Sequence, residues 1–108
     1  MGKENNIFEA ETQPLPHYVD TETYRMFITF KDESLTPCEQ KVLIKVIGGM
    51  TNREIAEDLS ISEQTTKNHI QNMKNKVVDM GGRRPVSKYT IIHELQILGK
   101  VEIETTWK

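Results

Sequence analysis

Four carboxamides recur at helical spacing in one stretch of the chain, Gln64, Asn68, Gln71 and Asn75. At 100° per residue they fall on a single stripe of a helix. A carboxamide carries both a donor and an acceptor, and Asn or Gln can engage N7 and N6 of adenine together, each good pair giving roughly 1–3 kcal/mol of discrimination. Lys67 and Lys74 flank the stripe on one side, and Thr65, Asn72 and Lys76 on the other, as groups suited to phosphate oxygens. The chemistry implied is recognition of duplex DNA at a site with important A·T pairs. Nothing comparable points to catalysis. Cys38 is the only cysteine, and His17, His69 and His93 are scattered without metal-ligand spacing. No paired carboxylates, nucleophile–base pair or phosphate-cradling glycine loop is present, and Gly48-Gly49 and Gly81-Gly82 read as helix ends. The expectation is a non-enzyme with no cofactor and no metal, in which His69 is a packed or backbone-bonded residue and Cys38 an ordinary surface thiol.

Charge supports this once the chain is divided. The 108 residues carry a net charge of -2, unlike a strongly basic nucleic-acid binder. Residues 1–34, however, hold three Lys/Arg against seven Asp/Glu, whereas residues 35–108 hold eleven against nine. Between Ser62 and Lys88 the excess sharpens. Lys67, Lys74, Lys76, Arg83, Arg84 and Lys88 are opposed only by Glu63 and Asp79, a local balance of +4 that can meet a phosphate backbone. No apolar run approaches the roughly 18–20 residues that cross a bilayer, and MGKENNIFEAE lacks the apolar core of a signal peptide, so the chain reads as cytoplasmic with no membrane partner.

The elements that must position the amide stripe are legible from period and capping. Residues 1–23 are polar and acidic with Pro14 and Pro16 and read as a flexible tail; residues 24–108 read as one domain with its core in 35–98. Met26, Ile28 and Phe30 alternate in Tyr24–Lys31, as do Val101, Ile103, Thr105 and Trp107, so the two segments are expected to pair as a small two-stranded β-ribbon. Between them the period becomes helical. Thr36 is the expected N-cap of a first helix, with Pro37 at its first position, Glu39 completing a capping box and Val42, Leu43, Val46 and Ile47 inward. Thr51 caps a short second helix, Asn52 to about Leu59, which turns Ile55, Ala56 and Leu59 inward, with Glu54 three residues after the cap. Ser60-Ile61-Ser62 makes the turn, and Ser62 caps a third helix whose Thr66, Ile70, Met73 and Val77 form a stripe opposite the amides. A basic loop, Asp79 to Pro85, leads to a fourth helix over 87–98 with Ile91, Ile92, Leu95 and Leu98 apolar. The expected fold is therefore mainly α, four helices with a helix-turn-helix at the centre, plus the ribbon. A helix about 10–12 Å wide fits a major groove about 12 Å wide, so the helix 63–77 is the expected reader.

These residues also resemble a known family. Leu35-Thr-Pro-Cys-Glu-Gln-Lys-Val-Leu43, Gly49-Met-Thr-Asn-Arg-Glu-Ile-Ala56, Leu59-Ser-Ile-Ser62 and Thr65-Thr-Lys-Asn-His69 look like the LuxR/GerE-type DNA-binding domain, over about Leu35 to Val77. The resemblance implies four helices, with the third in the major groove and the fourth a dimer contact, and places Thr65 and Lys67 at the DNA backbone. Thr66 stands where the family has valine, which should loosen that core contact slightly, and the loop from Val78 to Val86 is longer than the family's usual connection.

The functional expectation is a sequence-specific transcriptional regulator. Its DNA-binding residues are Thr51, Gln64, Thr65, Lys67, Asn68, Gln71, Lys74 and Asn75. It is expected to act as a homodimer, because one short helix reads few base pairs, with Ile92 and Ile97 offered for the contact. The acidic N-terminal segment, with Phe8 and Tyr18, is the expected site for RNA polymerase or a regulatory protein. The alternative of a different class is a protein-interaction module or polymerase accessory factor that uses the same fold without specific DNA readout.

Overall fold

The structure, a computed structural model, describes residues 15–108. Four α-helices share one core with a three-stranded antiparallel sheet. The order is β1 (His17–Asp20), β2 (Tyr24–Phe30), α1 (Pro37–Ile47), α2 (Asn52–Leu59), α3 (Glu63–Asp79), a 3₁₀ turn (Lys88–Thr90), α4 (Ile91–Ile97) and β3 (Val101–Trp107).

The first three helices each begin where a side chain satisfies amides that the helix itself leaves unpaired. The Thr36 and Thr51 hydroxyls accept from the amides of Glu39 and Glu54, both at 3.1 Å, and each glutamate reaches back to the cap residue's own amide at 2.8 Å, completing both capping boxes. Ser62 accepts from the Thr65 amide at 2.9 Å. Ser87 caps the 3₁₀ turn, so the expected fourth helix is a tight turn followed by seven residues of α-helix. The helix ends are equally local. Gly49 and Gly81 take φ of +92° and +94°, and around each the next two amides fold back onto the last helical carbonyls, as in Gly81 to Val78 and Gly82 to Val77, both 2.9 Å. Ser60 closes α2 in the same left-handed conformation at φ 57°, without glycine's freedom.

The expected pairing of the two end segments is present: β2 and β3 run antiparallel, with Ile28 opposite Ile103 and Phe30 opposite Val101. A third strand joins them. His17–Asp20, assigned from sequence to the acidic tail, pairs with β2 and buries Val19, while Tyr18 stacks on Phe27 with ring centroids 5.0 Å apart. A four-residue strand between polar segments has little pattern of its own and is held by its partner. The rest of the expected tail, residues 1–14, lies outside the described residues.

The inner sheet face supplies Val19, Ile28, Phe30 and Val101 to one core with Val42, Leu43 and Val46 of α1, Ile55 of α2, Ile70, Met73 and Val77 of α3, and Ile91 and Leu95 of α4. Removing each such side chain from water contributes about 1.5–3 kcal/mol before entropy is counted. Thr66 is completely buried, and its hydroxyl is paired by donating to the Ser62 carbonyl at 3.2 Å. Among the described residues no helix is long and apolar enough to cross a membrane.

Candidate nucleic-acid interface

The burial of Thr66, Ile70, Met73 and Val77 fixes the rotation of α3, and with it which side chains point out. Gln64, Asn68, Gln71 and Asn75 are all exposed on the opposite side. They interact in two pairs, Gln64 donating to Asn68 at 3.0 Å and Gln71 to Asn75 at 3.2 Å, each through its Nε2 to the partner's Oδ1. Neither pair is packed under apolar groups, so the ridge is uncharged, hydrogen-bonding and accessible. Lys67 is exposed and Lys74 half-exposed along one edge, and neither makes an ion pair among the described residues. Thr65 sits half-buried at the first turn, its hydroxyl accepting from Ser62 Oγ at 2.8 Å. Thr51 lies apart from α3, exposed at the start of α2. Lys88 donates to Asn52 at 2.7 Å beside it, which brings the basic loop's far end to the same helix start.

One flanking assignment changes. Lys76, placed by its helical angle on the phosphate edge, turns instead toward α1 and donates to Glu39 at 2.7 Å, with the glutamate side chain only 4% exposed. The physical reason is the carboxylate: it is buried, so a cation within reach is held there. His69 is half-buried at the border of the inward stripe, in keeping with the packed role expected of it, with its Nε2 3.4 Å from Cys38 Sγ.

One residue of this surface went unnamed among the sequence candidates. Arg84 Nη1 donates to Asn75 Oδ1 at 3.0 Å, so the loop after α3 folds back onto the end of the amide ridge. The basic loop was visible as charge; where it folds was not, since a loop without a period says nothing about which face it meets.

A short helix, a tight turn through Ser60–Ser62 and a long second helix with a buried apolar stripe and a bare polar one together define a helix-turn-helix regulator domain. The comparisons agree with that class. The family model for bacterial regulatory proteins, luxR family, matches residues 33–78. The spore germination protein GerE of Bacillus subtilis (strain 168) is 35% identical over 63 residues, 58% of this chain and 85% of GerE. The transcriptional regulatory protein LiaR of the same organism is 40% identical over 57 residues, 53% of this chain and 26% of LiaR. The nitrate/nitrite response regulator protein homolog of Haemophilus influenzae (strain ATCC 51907 / DSM 11121 / KW20 / Rd) is 44% identical over 45 residues, 42% of this chain and 22% of that protein. The chain belongs to the luxR family of bacterial regulatory proteins, a family of transcription regulators and not of enzymes. It spans only about a quarter of the length of LiaR. No solved structure matches the chain.

Proposed function

We propose that this chain is a DNA-binding transcription regulator that reads sequence by inserting α3, over 63–77, into the major groove. The observation that carries the reading is the bare amide ridge of Gln64, Asn68, Gln71 and Asn75 directly opposite the buried face of the same helix. Amides offer donors and acceptors to base edges, Lys67 and Lys74 supply salt-sensitive attraction to phosphates, and Thr65 with Thr51 positions the backbone. The positive end of the α3 macrodipole adds to this.

The functional unit in this reading is a homodimer, since paired helices double the length of site read. Ile97, 66% exposed on α4, is the apolar residue offered for that contact; Ile92 packs partly against the core and is less available. The domain in this reading begins at the strand His17–Asp20, which joins the sheet, and runs to residue 108, with the helical part of its core in 35–98; it works in the cytoplasm, and the acidic N-terminal segment is where RNA polymerase or a regulatory protein would dock.

The test is an anisotropy titration of the full chain on a selected duplex and on random-sequence duplexes at two salt concentrations. Asn68→Ala/Gln71→Ala should lose about ten-fold or more of its preference for the selected site. Lys67→Ala/Lys74→Ala should weaken binding to every sequence and reduce the slope of log affinity against log salt by about two. Wild-type affinity and preference in both variants would remove the groove assignment and leave the protein-interaction reading.

A further inference from the structure

The two ends of the amide ridge differ in what they offer to a ligand. At the N-terminal end, Gln64 keeps its own acceptor, and Asn68 Oδ1 receives one bond, from Gln64. At the C-terminal end, Asn75 Oδ1 receives two, from Gln71 at 3.2 Å and from Arg84 at 3.0 Å, which occupies both of its lone-pair directions. Arginine has donors only, so its contact also fixes which way the Asn75 amide faces. What remains for a partner on Asn75 and Arg84 themselves is the NH₂ of Asn75 and the other N–H groups of Arg84, without an acceptor, whereas Gln71, one turn earlier, keeps its own Oε1.

Arg84 is delivered there by an anchored loop. Gly82 is wedged so closely against Val77 and Leu98 that a Cβ would lie 2.9 Å from each side chain. Pro85 is buried on the other side of the arginine pair, while Arg83 and Arg84 stay exposed. The guanidinium therefore sits at the ridge because the backbone on both sides of it is packed.

We infer that Arg84 is a DNA-contacting residue which, together with Asn75, forms a donor-only clamp at the C-terminal end of α3 for an acceptor-only group. That chemistry belongs to the N7/O6 edge of guanine or to phosphate oxygens, and it excludes the adenine pairing open to the other end of the ridge, because adenine N6 needs an acceptor. The inference rests on α3 reading DNA as proposed above, and it makes the recognised half-site chemically polar, with adenine pairing at one end and guanine or phosphate at the other.

The experiment selects a duplex from a random library with the full wild-type chain. It then measures affinity for that duplex and a panel of its single-base-pair variants with wild type, Arg84→Ala, Arg84→Lys, Asn75→Ala and Asn68→Ala. Arg84 is exposed, and unchanged melting of Arg84→Ala keeps the readout free of folding effects. Arg84→Ala should weaken the selected duplex by about five-fold or more. If the acceptor is guanine, both Arg84 variants lose a preference for one guanine while Asn68→Ala keeps it. If it is phosphate, Arg84→Ala weakens all sequences together, flattens the salt slope by about one, and Arg84→Lys restores binding. Wild-type affinity and salt slope in Arg84→Ala overturn the inference, as does an adenine preference that Asn75→Ala removes and Arg84→Ala does not. In either of those cases loss of preference in Asn68→Ala leaves the groove reading standing, whereas a wild type that binds no duplex sinks both.

Discussion

Lys76 of α3 and Glu39 of α1 meet at 2.7 Å across the helix interface, 37 residues apart in the chain, and the same Glu39 oxygen also accepts the Thr36 amide at 2.8 Å. One carboxylate thus closes the capping box that starts α1 and ties α1 to the reading helix. The glutamate is almost wholly buried while the lysine side chain remains 35% exposed. Lys76→Ala leaves a buried carboxylate with only the amide for a partner. Complete burial of such an orphan costs about 3–5 kcal/mol, and the water that reaches this lysine lowers the expected loss to about 2 kcal/mol. Urea unfolding should show that loss in Lys76→Ala and most of it recovered in Lys76→Ala/Glu39→Gln, where the charge is gone and an acceptor for the Thr36 amide remains. A loss below about 0.5 kcal/mol would mean the pair contributes no more than a surface ion pair.

Gly82 tests how firmly the loop after α3 is seated. A Cβ there would lie 2.9 Å from Val77 Cγ1 and Leu98 Cδ1 and 3.1 Å from the Val77 carbonyl. The leucine tip can move, but the β-branched valine is stiff and the carbonyl belongs to the helix end. Gly82→Ala is expected to lose about 1–3 kcal/mol in urea unfolding, with the loop displaced from the reading face. A melting temperature equal to that of wild type would show that the loop is loosely held.

Acid should loosen the strand ends of the sheet, where Asp32 meets Lys100 and Asp20 meets Lys108. The Asp32 carboxyl is held down to about 2, first by the Ser34 hydroxyl that donates at 2.6 Å, then by Lys100 at 2.9 Å and by the Ser34 amide. Lys108 likewise lowers Asp20, against a smaller opposing effect of desolvation. The folded values lie below the ordinary 3.8, so the stabilisation is present above about pH 4 and is lost as pH falls toward 2. The urea midpoint of the wild type should fall across that window. Asp32→Asn should show a shallower fall there, with lower stability at neutral pH. Parallel pH profiles for the two proteins would contradict the assignment.

Much of the fold could be read from residues three and four apart. Thr36, Thr51 and Ser62 cap the helices that follow them because a cap is a bond across one turn, and the left-handed glycines close α1 and α3 for the same local reason. The buried Thr66–Ile70–Met73–Val77 stripe follows from helical period alone, and so does the exposed amide ridge on its opposite side. Those features are determined by the sequence itself.

Tertiary structure alone decided the rest. Helical angle put Lys76 at the phosphate edge, and only the arrival of buried Glu39 from another helix drew it away. His69 and Cys38 meet across 31 residues, and Arg84 reaches Asn75 through a loop with no period to read. The strand His17–Asp20 exists because β2 offers it a ladder and Phe27 a ring to stack on. A bond within one turn is encoded in spacing. A contact made by chain closure depends on where two separately formed surfaces come to rest, and no local period carries that information.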